Sequence, residues 1–398
     1  MRRRLRGLTE SVRTGLWAIP TLATVLAVLA ALGLVQLDRH LDTDVRLTFG
    51  AGPDGAREVL SAIVTSMITF TGLVFSITIV VLTLTSSQFS PRVLRTFLRD
   101  RQTQLSLAVF VATFVYAVVV LRTVNSTEDA TFVPAVATTT GVVLLLFSVG
   151  AFIAYIHHIT TAIQVSSILA SIGDETRAAL ARRHPRNAGP AAALPPRPTH
   201  AATSVLVAPG PGVVTHLDTD RLIALAHAAD VVLRTELGPG DFVPTGGPVF
   251  DVLGDAHALD AAAVLGCLTL GRERTMQQDV AFGLRQLVDI AERALSPGVN
   301  DPTTAVQALD QIHDVLRRLA GTHLHPGLHC DHRGELRLVT PQERFADYVA
   351  LSLEEIEQYG ADSLQVTRRL AQLRADVASA ALPGHRAALE QPLPDGRS

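Results

Sequence analysis

The hydrophobic pattern divides the chain into an apolar first part and an amphipathic second part. Four apolar runs precede residue 165, and each is long enough to cross a hydrocarbon layer of roughly 30 Å as a helix. These runs cover residues 16–37, 58–87, 105–121 and 132–156. Beyond them, short apolar stretches with strand and helix periodicity alternate with charged and Pro-containing sequence. The pattern therefore predicts an α-helical integral membrane protein with four transmembrane helices, followed by a cytosolic α+β region.

The second apolar run is unusually rich in hydroxyl groups. Its small and hydroxyl-bearing residues recur near multiples of 3.6, which places them on one face of a helix. They are Ser61, Thr65, Thr69, Gly72, Ser76, Thr83 and Ser87. Such a face can line a water-filled pathway through the membrane. It can also allow helices to pack closely, in which case each interhelical hydrogen bond contributes only about 0.6 kcal/mol. The sequence leaves both interpretations open.

The charges between the apolar runs predict the orientation. Arginines crowd the N-terminus and the connection between the second and third runs, whereas the other two connections contain more acidic than basic residues. The arginines of that second connection are Arg92, Arg95, Arg99 and Arg101. Because basic loops stay on the cytoplasmic side, we expect both termini in the cytoplasm. The same four arginines would then lie at the cytosolic mouth of a pore.

Composition argues against several classes of function. The 398-residue chain has a formal net charge of −3, which argues against nucleic acid as a partner. All 34 of its Lys and Arg residues are arginine, which excludes a lysine Schiff base, a P-loop lysine and a lysine-borne prosthetic group. No motif of a serine hydrolase, a P-loop enzyme, a zinc protease or a dinucleotide-binding enzyme occurs. We therefore expect no catalysis and no cofactor.

Breaks in the hydrophobic pattern predict six segments. They are a basic N-terminus (1–15), a four-helix transmembrane unit with a cytosolic extension of the fourth helix (16–183), a Pro/Ala linker (184–203), a small β-rich module (204–254), a helical cytosolic domain (255–381) and a disordered tail (382–398). The β-rich module is expected to contain a hairpin over residues 241–252, with turn residues at its centre. The helical domain is expected to begin with two long helices, over 272–295 and 302–320.

The first of these helices has two faces that are each suited to a packing contact. One is a continuous apolar face suited to the domain core. The other carries Gln278, Phe282, Arg285 and Asp289, and we interpret it as a contact with another domain or subunit.

The joint between the two helices contains Ser296, Pro297, Gly298, Val299, Asn300, Asp301 and Pro302. Pro297 and Gly298 suit the two central positions of a type II turn. Asp301 is a natural N-cap, and Pro302 fits the first helical position, where no backbone donor is wasted. We interpret the motif as a rigid helix–turn–helix joint. The alternative is an anion site at the helix start, which competes with the cap for the same amides.

A histidine-rich loop follows the second long helix and precedes a predicted hairpin over residues 335–339. It contains His323, His325, His329 and Cys330, whose nitrogen and sulfur atoms suit tetrahedral zinc. Paired spacings such as CxxC are lacking, so we interpret the segment as a solvated loop and keep a metal site as the alternative.

Three stretches of the chain resemble a known family. They are TGLVFSITIVVLTLTSSQFSPR in the second run, RTMQQDVAFGLRQLVDIAERALSPGVNDPTTA around the joint, and DYVALSLEEIEQYGADS near the end. All three are similar to segments of a widespread bacterial family of predicted membrane proteins, catalogued as a domain of unknown function. The resemblance implies a four-span inner-membrane protein with a cytosolic domain, and it implies no reaction and no catalytic residue.

These observations favour an ion channel or a related permeation protein. Four spans enclose little by themselves, so a pore requires a homo-oligomer around a symmetry axis, with the second span as its lining. Phe70 or Phe75 would form a constriction if either turned inward. Besides lipid and a second copy of the chain, a small ligand or an unidentified cytosolic protein is a possible partner. The alternative function is a membrane-anchored signalling or scaffold protein without a pore. A transporter is less favoured, because the spans lack carboxylates for ion coupling.

Overall fold

The computed structural model describes residues 18–41, 53–88, 101–127, 130–162, 164–184 and 195–390. The chain divides into two compact units, Met1–Gln164 and Val165–Ser398. Each unit has its own core, and the two are described separately.

The first unit consists of four long helices and a short hairpin. The elements are α1 (Ala18–Leu41), α2 (Pro53–Gln88), α3 (Arg101–Leu121), β1 (Asn125–Thr127), β2 (Ala130–Phe132) and α4 (Ala135–Ala162). The two strands pair antiparallel between α3 and α4. All four helices are apolar and long enough to cross a membrane. The four predicted spans are confirmed.

Helix α3 packs against all three other helices and forms the centre of this unit. At its heart, Phe70 of α2 stacks on Phe152 of α4 with ring centroids 4.8 Å apart. Phe110 of α3 meets both rings edge-on. Helices in lipid gain little from hydrophobic association, so close side-chain packing of this kind supplies much of their attraction.

Buried hydroxyl groups add hydrogen bonds between the helices. Tyr155 of α4 donates to the carbonyl of Val74 at 3.2 Å, and its hydroxyl lies 2.9 Å from that of Thr78. Tyr116 of α3 donates to the carbonyl of Ala137 at 2.8 Å. An unpaired polar group is costly in hydrocarbon, so these bonds make the helix positions specific.

The end of α1 caps the start of α4. The carboxylate of Asp38 accepts hydrogen bonds from the backbone N–H groups of Val136 at 3.1 Å and Ala137 at 3.0 Å. These first-turn amides have no partner within their own helix, and a negative charge is favoured at that end of the helix dipole. A side chain from one helix thereby fixes the entry point of another.

The predicted extension of the fourth helix to residue 183 does not occur as one continuous helix. Helix α4 ends at Ala162, and a separate helix, α5 (Val165–Arg183), opens the second unit. The last turn of α4 is tightened, because Thr160 and Thr161 donate hydroxyl bonds to carbonyls three residues earlier, each at 2.8 Å. The amide of Gln164 also bonds three residues back, to Thr161. A backbone bond to the carbonyl three residues back is typical of the tightened last turn at a helix end.

The second unit is an α+β structure. Its helices are α5, α6 (Thr219–Ala228), α7 (Ala261–Leu265), α8 (Val280–Leu295), α9 (Pro302–Ala320), α10 (Phe345–Gly360), α11 (Leu364–Ala380) and α12 (Ala387–Glu390). Its strands are β3 (Ser204–Val207), β4 (Gly212–Leu217), β5 (Val232–Arg234), β6 (Phe242–Val243), β7 (Pro248–Leu253), β8 (Leu268–Gly271), β9 (Leu328–Cys330) and β10 (Leu336–Val339). The predicted helix over 302–320 is confirmed as α9.

The strands form two sheets. The five-stranded sheet has the order β3-β7-β5-β10-β9, in which only the β5–β10 pair is parallel. The three-stranded sheet has the order β6-β4-β8 and is antiparallel. The predicted hairpin over 241–252 was therefore wrong, because β6 and β7 belong to different sheets. Gly246, with φ at +74°, lies in the turn between these two strands.

The β-rich and helical segments share this architecture. Strands β8, β9 and β10 lie within the segment 255–381, which was predicted to be helical except for a hairpin over 335–339, and they complete both sheets. Strand β10 falls on that predicted hairpin and pairs antiparallel with β9. The predicted helix over 272–295 begins only at Val280, because the carboxylate of Asp279 caps it by accepting the N–H of Phe282 at 2.9 Å. Long-range strand pairing cannot be recognised from local periodicity, which explains the difference.

Helix α8 is the central helix of the second unit and packs against α5, α9 and α10. Leu284, Leu287 and Val288 on α8 are fully buried. The crossing with α5 depends on Gly283, since a Cβ added there would stand 2.9 Å from the Cβ of Thr176. Contacts this short are essentially never found between real side chains, so the two helices approach as closely as a glycine permits.

Candidate functional site

The hydroxyl-rich stripe of α2 lies on the outside of the four-helix unit. The described side chains of the stripe are all exposed, and they are Ser61, Thr65, Thr69, Gly72, Ser76 and Thr83. The side chain of Ser87 lies outside the described residues. The opposite face of α2 is buried, and it carries Leu60, Ile63, Met67, Val74 and Val81. The helix therefore directs its apolar face into its own unit and its hydroxyl groups away from it.

Packing among the described residues of this chain does not account for the stripe. A Cβ added at Gly72 would meet nothing within 4 Å. The hydroxyls of Thr65, Thr69 and Thr83 donate to carbonyls four residues earlier on their own helix, at 3.0, 3.0 and 2.9 Å. These hydroxyl groups donate their hydrogen bonds within α2, so they do not hold α2 to a neighbouring helix of the described chain.

The outer faces of α1 and α4 have a different chemistry. They expose large apolar side chains, which are Leu22, Val25, Leu26, Leu29 and Leu32 on α1 and Val143, Leu146, Phe147 and Ile153 on α4. Such surfaces match lipid acyl chains. On α2, exposed Ile68, Leu73, Phe75 and Val80 border the stripe. Exposed Ile79 lies on it between Ser76 and Thr83, and the other positions of the stripe are small or carry a hydroxyl group. The first unit thus presents two kinds of outer surface, and only one has the composition expected for lipid alone.

Two carboxylates continue the stripe toward the start of α2. Asp54 and Glu58 are both exposed. Glu58 precedes Ser61 by three residues and Asp54 precedes Glu58 by four, which keeps both carboxylates on the same helix face as the stripe. The predicted stripe began at Ser61 and omitted both carboxylates, although Glu58 is the first residue of the predicted span. The structural helix begins at Pro53 and has 36 residues, or roughly 54 Å of length. The repeat of four and three residues is the signal that extends the stripe to both acids.

The two phenylalanines proposed as constrictions lie in different places. Phe70 belongs to the aromatic core described above and packs inside the unit. Phe75 is 52% exposed at the edge of the stripe. Only Phe75 is therefore positioned to reach a surface outside its own unit.

The proposed cytosolic mouth is described only in part. Arg101 is exposed at the first position of α3. Arg92, Arg95 and Arg99 lie outside the described residues.

The helix joint of the second unit has a different turn from the predicted one. The left-handed residue is Asn300, with φ at +47°, and Gly298 does not have the positive φ that a type II turn requires. The amides of Val299 and Asn300 both donate to the carbonyl of Ser296, at 3.0 and 2.9 Å. The type II assignment was wrong, because an asparagine supplies the left-handed conformation here.

The start of α9 at this joint agrees with its prediction. Asp301 is the N-cap and accepts bonds from the amide of Thr304 at 3.1 Å and its hydroxyl at 2.6 Å, while Pro302 occupies the first turn. These hydrogen bonds from Thr304 lower the pKa of the Asp301 carboxyl. A cap that stays ionised occupies the position that an anion would take.

The residues predicted as a cytosolic contact face take part in bonds within the second unit. Gln278 pairs with both backbone groups of Leu217, accepting at 2.9 Å and donating at 3.2 Å. Phe282 is buried. Arg285 bonds to Asp289 at 2.8 Å on the same helix. These side chains fasten α8 and the segment before it to neighbouring elements.

The histidine-rich segment brings only two of its candidate ligands together. The rings of His325 and His329 stack with centroids 4.3 Å apart and an interplanar angle of 20°. Nearly parallel rings direct their in-plane lone pairs side by side and not at a common point. Burial, together with Asp331, raises the pKa of the Cys330 thiol, and His323 is exposed. Among the described residues, no group of three or more His, Cys, Asp or Glu side chains is arranged to hold a metal ion.

Four apolar helices of membrane-spanning length, joined to an α+β unit, define a multi-pass membrane protein. The chain belongs to the family described as "Predicted membrane protein (DUF2254)", whose pattern matches residues 13–376. It is 34% identical to an uncharacterized protein of Mycobacterium bovis and to one of Mycobacterium tuberculosis, over 98% of this chain and 77% of each relative. No solved structure matches the chain.

Proposed function

We propose that this protein is a homo-oligomeric ion channel or related permeation protein, in which α2 lines the pathway and the second unit controls it. The observation that carries this proposal is the outward position of the α2 stripe. Hydroxyl groups and a glycine along one face of a membrane helix gain nothing from acyl chains. Against water or a second copy of the same helix, the same groups form hydrogen bonds or allow close approach.

Symmetry supplies the enclosure that one chain lacks. Copies related by a rotation axis would bring their α2 stripes together around that axis, and the apolar faces of α1 and α4 would remain in lipid. Each copy would contribute the hydroxyls of Ser61, Thr65, Thr69, Ser76 and Thr83. Phe75 would reach the narrowest part of the pathway from the edge of the stripe.

The proposed orientation follows from the arginines. The N-terminus and the connection that ends at Arg101 would face the cytoplasm of a bacterial inner membrane, and both termini would lie inside. The start of α2 would then face outward. Rings of Asp54 and Glu58 at that mouth would concentrate cations, so we propose a preference for cations.

Single-channel recording from purified protein in planar bilayers tests the proposal. We expect Ser76→Leu to reduce conductance, since it narrows the stripe. The matched control, Leu146→Ala on the exposed apolar face of α4, should leave conductance unchanged. Glu58→Gln should lower the ratio of cation to anion permeability without affecting assembly.

Two results would contradict the proposal. One is a bilayer that stays silent under voltage, tension and pH change. The other is a monomer in detergent, measured by light scattering coupled to size exclusion. A silent monomer whose second unit captures one soluble protein stoichiometrically would favour the alternative, a membrane-anchored scaffold.

A further inference from the structure

The second unit contains a cavity of about 590 Å³ that the proposed pore does not use. Residues from the end of α5, the β4–α6 junction, the loop after β5, the start of α8, strand β9 and the start of α10 all contribute to its wall. Ligand pockets commonly have volumes of about 300–1,000 Å³ and combine apolar walls with a few polar groups. This cavity has both the size and the mixed lining of such a pocket.

The lining is richer in potential cations than in free carboxylates. Arg182, Arg183 and three histidines, His216, His325 and His329, contribute to it. The carboxylates that line it are Asp279 and Glu343, and both are already engaged in ion pairs. Arg182 lies exposed at the rim and donates a long hydrogen bond, 3.4 Å, to the carbonyl of Met276. Because Asp279 pairs with Arg274 and Glu343 pairs with Arg183, the two carboxylates of the wall do not neutralise the charge of Arg182.

Glu343 fixes this arrangement from within. Its carboxylate accepts bonds from Arg183 at 2.5 Å, from His184 at 2.8 Å and from the hydroxyl of Tyr348 at 2.9 Å. Burial alone would raise the pKa of Glu343, but the hydrogen bond from His184 and the charge of Arg183 outweigh it and lower the pKa to about 2. Glu343 thus stays ionised and holds Arg183 in the wall, which leaves Arg182 as the side chain free to turn toward a ligand.

Val280 and Ala281, the first two residues of the 16-residue helix α8, line the cavity. The carboxylate of Asp279 caps this helix start by accepting the amide of Phe282, so the anionic group of a ligand is assigned to the side chain of Arg182 and not to the helix end. Burial, with His325 and Arg183 nearby, lowers the pKa of His329 to about 4, so the empty wall disfavours further positive charge. An anion in the cavity would relieve that repulsion.

The rest of the cavity wall is suited to the apolar or aromatic part of an organic ligand. Leu217, Leu237, Pro239 and Pro341 provide apolar surface, and His325 and His329 contribute a stacked pair of rings. A water molecule occupies about 30 Å³ in the liquid, so a bare phosphate ion would leave most of 590 Å³ unfilled. The ligand must therefore carry more than its anionic group.

We propose that this cavity binds a small organic phosphate, with its phosphate at Arg182 and its organic part against the leucine and proline wall. This inference does not depend on the pore, because it concerns equilibrium binding to the second unit alone.

Binding to the purified full chain in detergent tests the proposal, with AMP as the organic phosphate, adenosine as its uncharged counterpart and inorganic phosphate as the bare anion. We expect AMP to raise the unfolding temperature with a saturable dependence on concentration. Inorganic phosphate should bind more weakly, and adenosine should have no effect at the same concentration. Calorimetric titration supplies the dissociation constants.

Three variants separate a built site from general anion binding. Arg182→Ala should weaken AMP binding about tenfold or more, since it removes a charged hydrogen-bond donor from a partly enclosed site. Ala281→Leu should weaken it by filling the cavity. Arg368→Ala removes an equally exposed arginine from α11, outside the lining, and should change nothing. The proposal is overturned if neither AMP nor phosphate binds saturably at millimolar concentration, or if Arg182→Ala and Arg368→Ala bind AMP as the unaltered protein does.

Discussion

Gly283 on α8 lies directly against Thr176 on α5, with no room for even one additional carbon atom between the two helices. The side chain of Thr176 is fully buried and donates its hydroxyl to the carbonyl of Ile172 at 2.6 Å. Because that bond fixes the rotamer of Thr176, the threonine cannot turn aside. The closeness of α5 and α8 therefore rests on a glycine in the middle of a helix.

Gly283→Ala should destabilise the protein by about 1–3 kcal/mol, the usual cost of overpacking a well-filled core. The measurement is thermal or denaturant unfolding of the purified protein. Gly298→Ala is the control, since a Cβ at Gly298 meets nothing within 4 Å and its φ is not positive. Equal unfolding temperatures for the two variants would show that α5 and α8 can move apart without a loss of folding free energy.

Phe70→Ala should lower the stability of the protein, whereas Phe75→Ala should change its conductance. Removing Phe70 empties the centre of the stacked aromatic cluster, and large-to-small changes of this kind cost about 3–5 kcal/mol in well-packed cores. Removing the exposed Phe75 should leave stability unchanged and increase conductance. Unfolding in detergent and bilayer recording report the two effects separately. A stable Phe70→Ala variant with altered conductance would reverse the assignment of the two rings.

Asp38→Ala should lower stability by about 1–2 kcal/mol, because it leaves the amides of Val136 and Ala137 without their cap. Asp38→Asn should recover part of the loss, since its amide oxygen still accepts a hydrogen bond. Glu58→Ala, which removes an exposed carboxylate from α2, is the control and should unfold as the unaltered protein does. If Asp38→Ala is as stable as Glu58→Ala, the hydrogen bonds of Asp38 to α4 contribute nothing to the stability of the first unit.

Glu292 should make the protein less stable as the pH rises. Burial and the neighbouring Glu355 raise the pKa of the Glu292 carboxyl from 4.5 to about 7, although Arg285 opposes this at 3.4 Å. The folded state therefore binds a proton that the unfolded state releases near pH 4.5, and stability falls as the pH rises from about 4.5 through 7. Glu292→Gln should abolish this fall and should be more stable than the unaltered protein at pH 8.

Unfolding followed from pH 4 to pH 8 checks this expectation. Glu354→Gln is the control, since Glu354 is exposed on the same helix as Glu355 and should keep the normal pH dependence. If Glu292→Gln is instead less stable than the unaltered protein at pH 8, the attraction of the ionised Glu292 carboxylate to Arg285 outweighs its repulsion by Glu355.

The sequence by itself determined the features that depend on neighbouring residues. Long apolar runs identified all four spans, since crossing a bilayer demands about 20 consecutive apolar residues. Asp301 and Pro302 predicted the start of α9, because a cap bonds to amides only two or three residues away. The order of small and hydroxyl residues also defined the α2 stripe, and its repeat extends to Asp54 and Glu58.

Tertiary structure decided everything that depends on residues distant in the sequence. The stripe is outward because Leu60, Ile63 and Met67 face α3 and α4, and no local pattern says which face of a helix the rest of the unit covers. Strand β10 joins β5 across about a hundred residues, so a segment predicted as a local hairpin became part of a five-stranded sheet. The cavity at Arg182 arises only where six separate segments meet. Packing and long-range pairing are set by the whole fold, and local sequence records only which residues are able to take part.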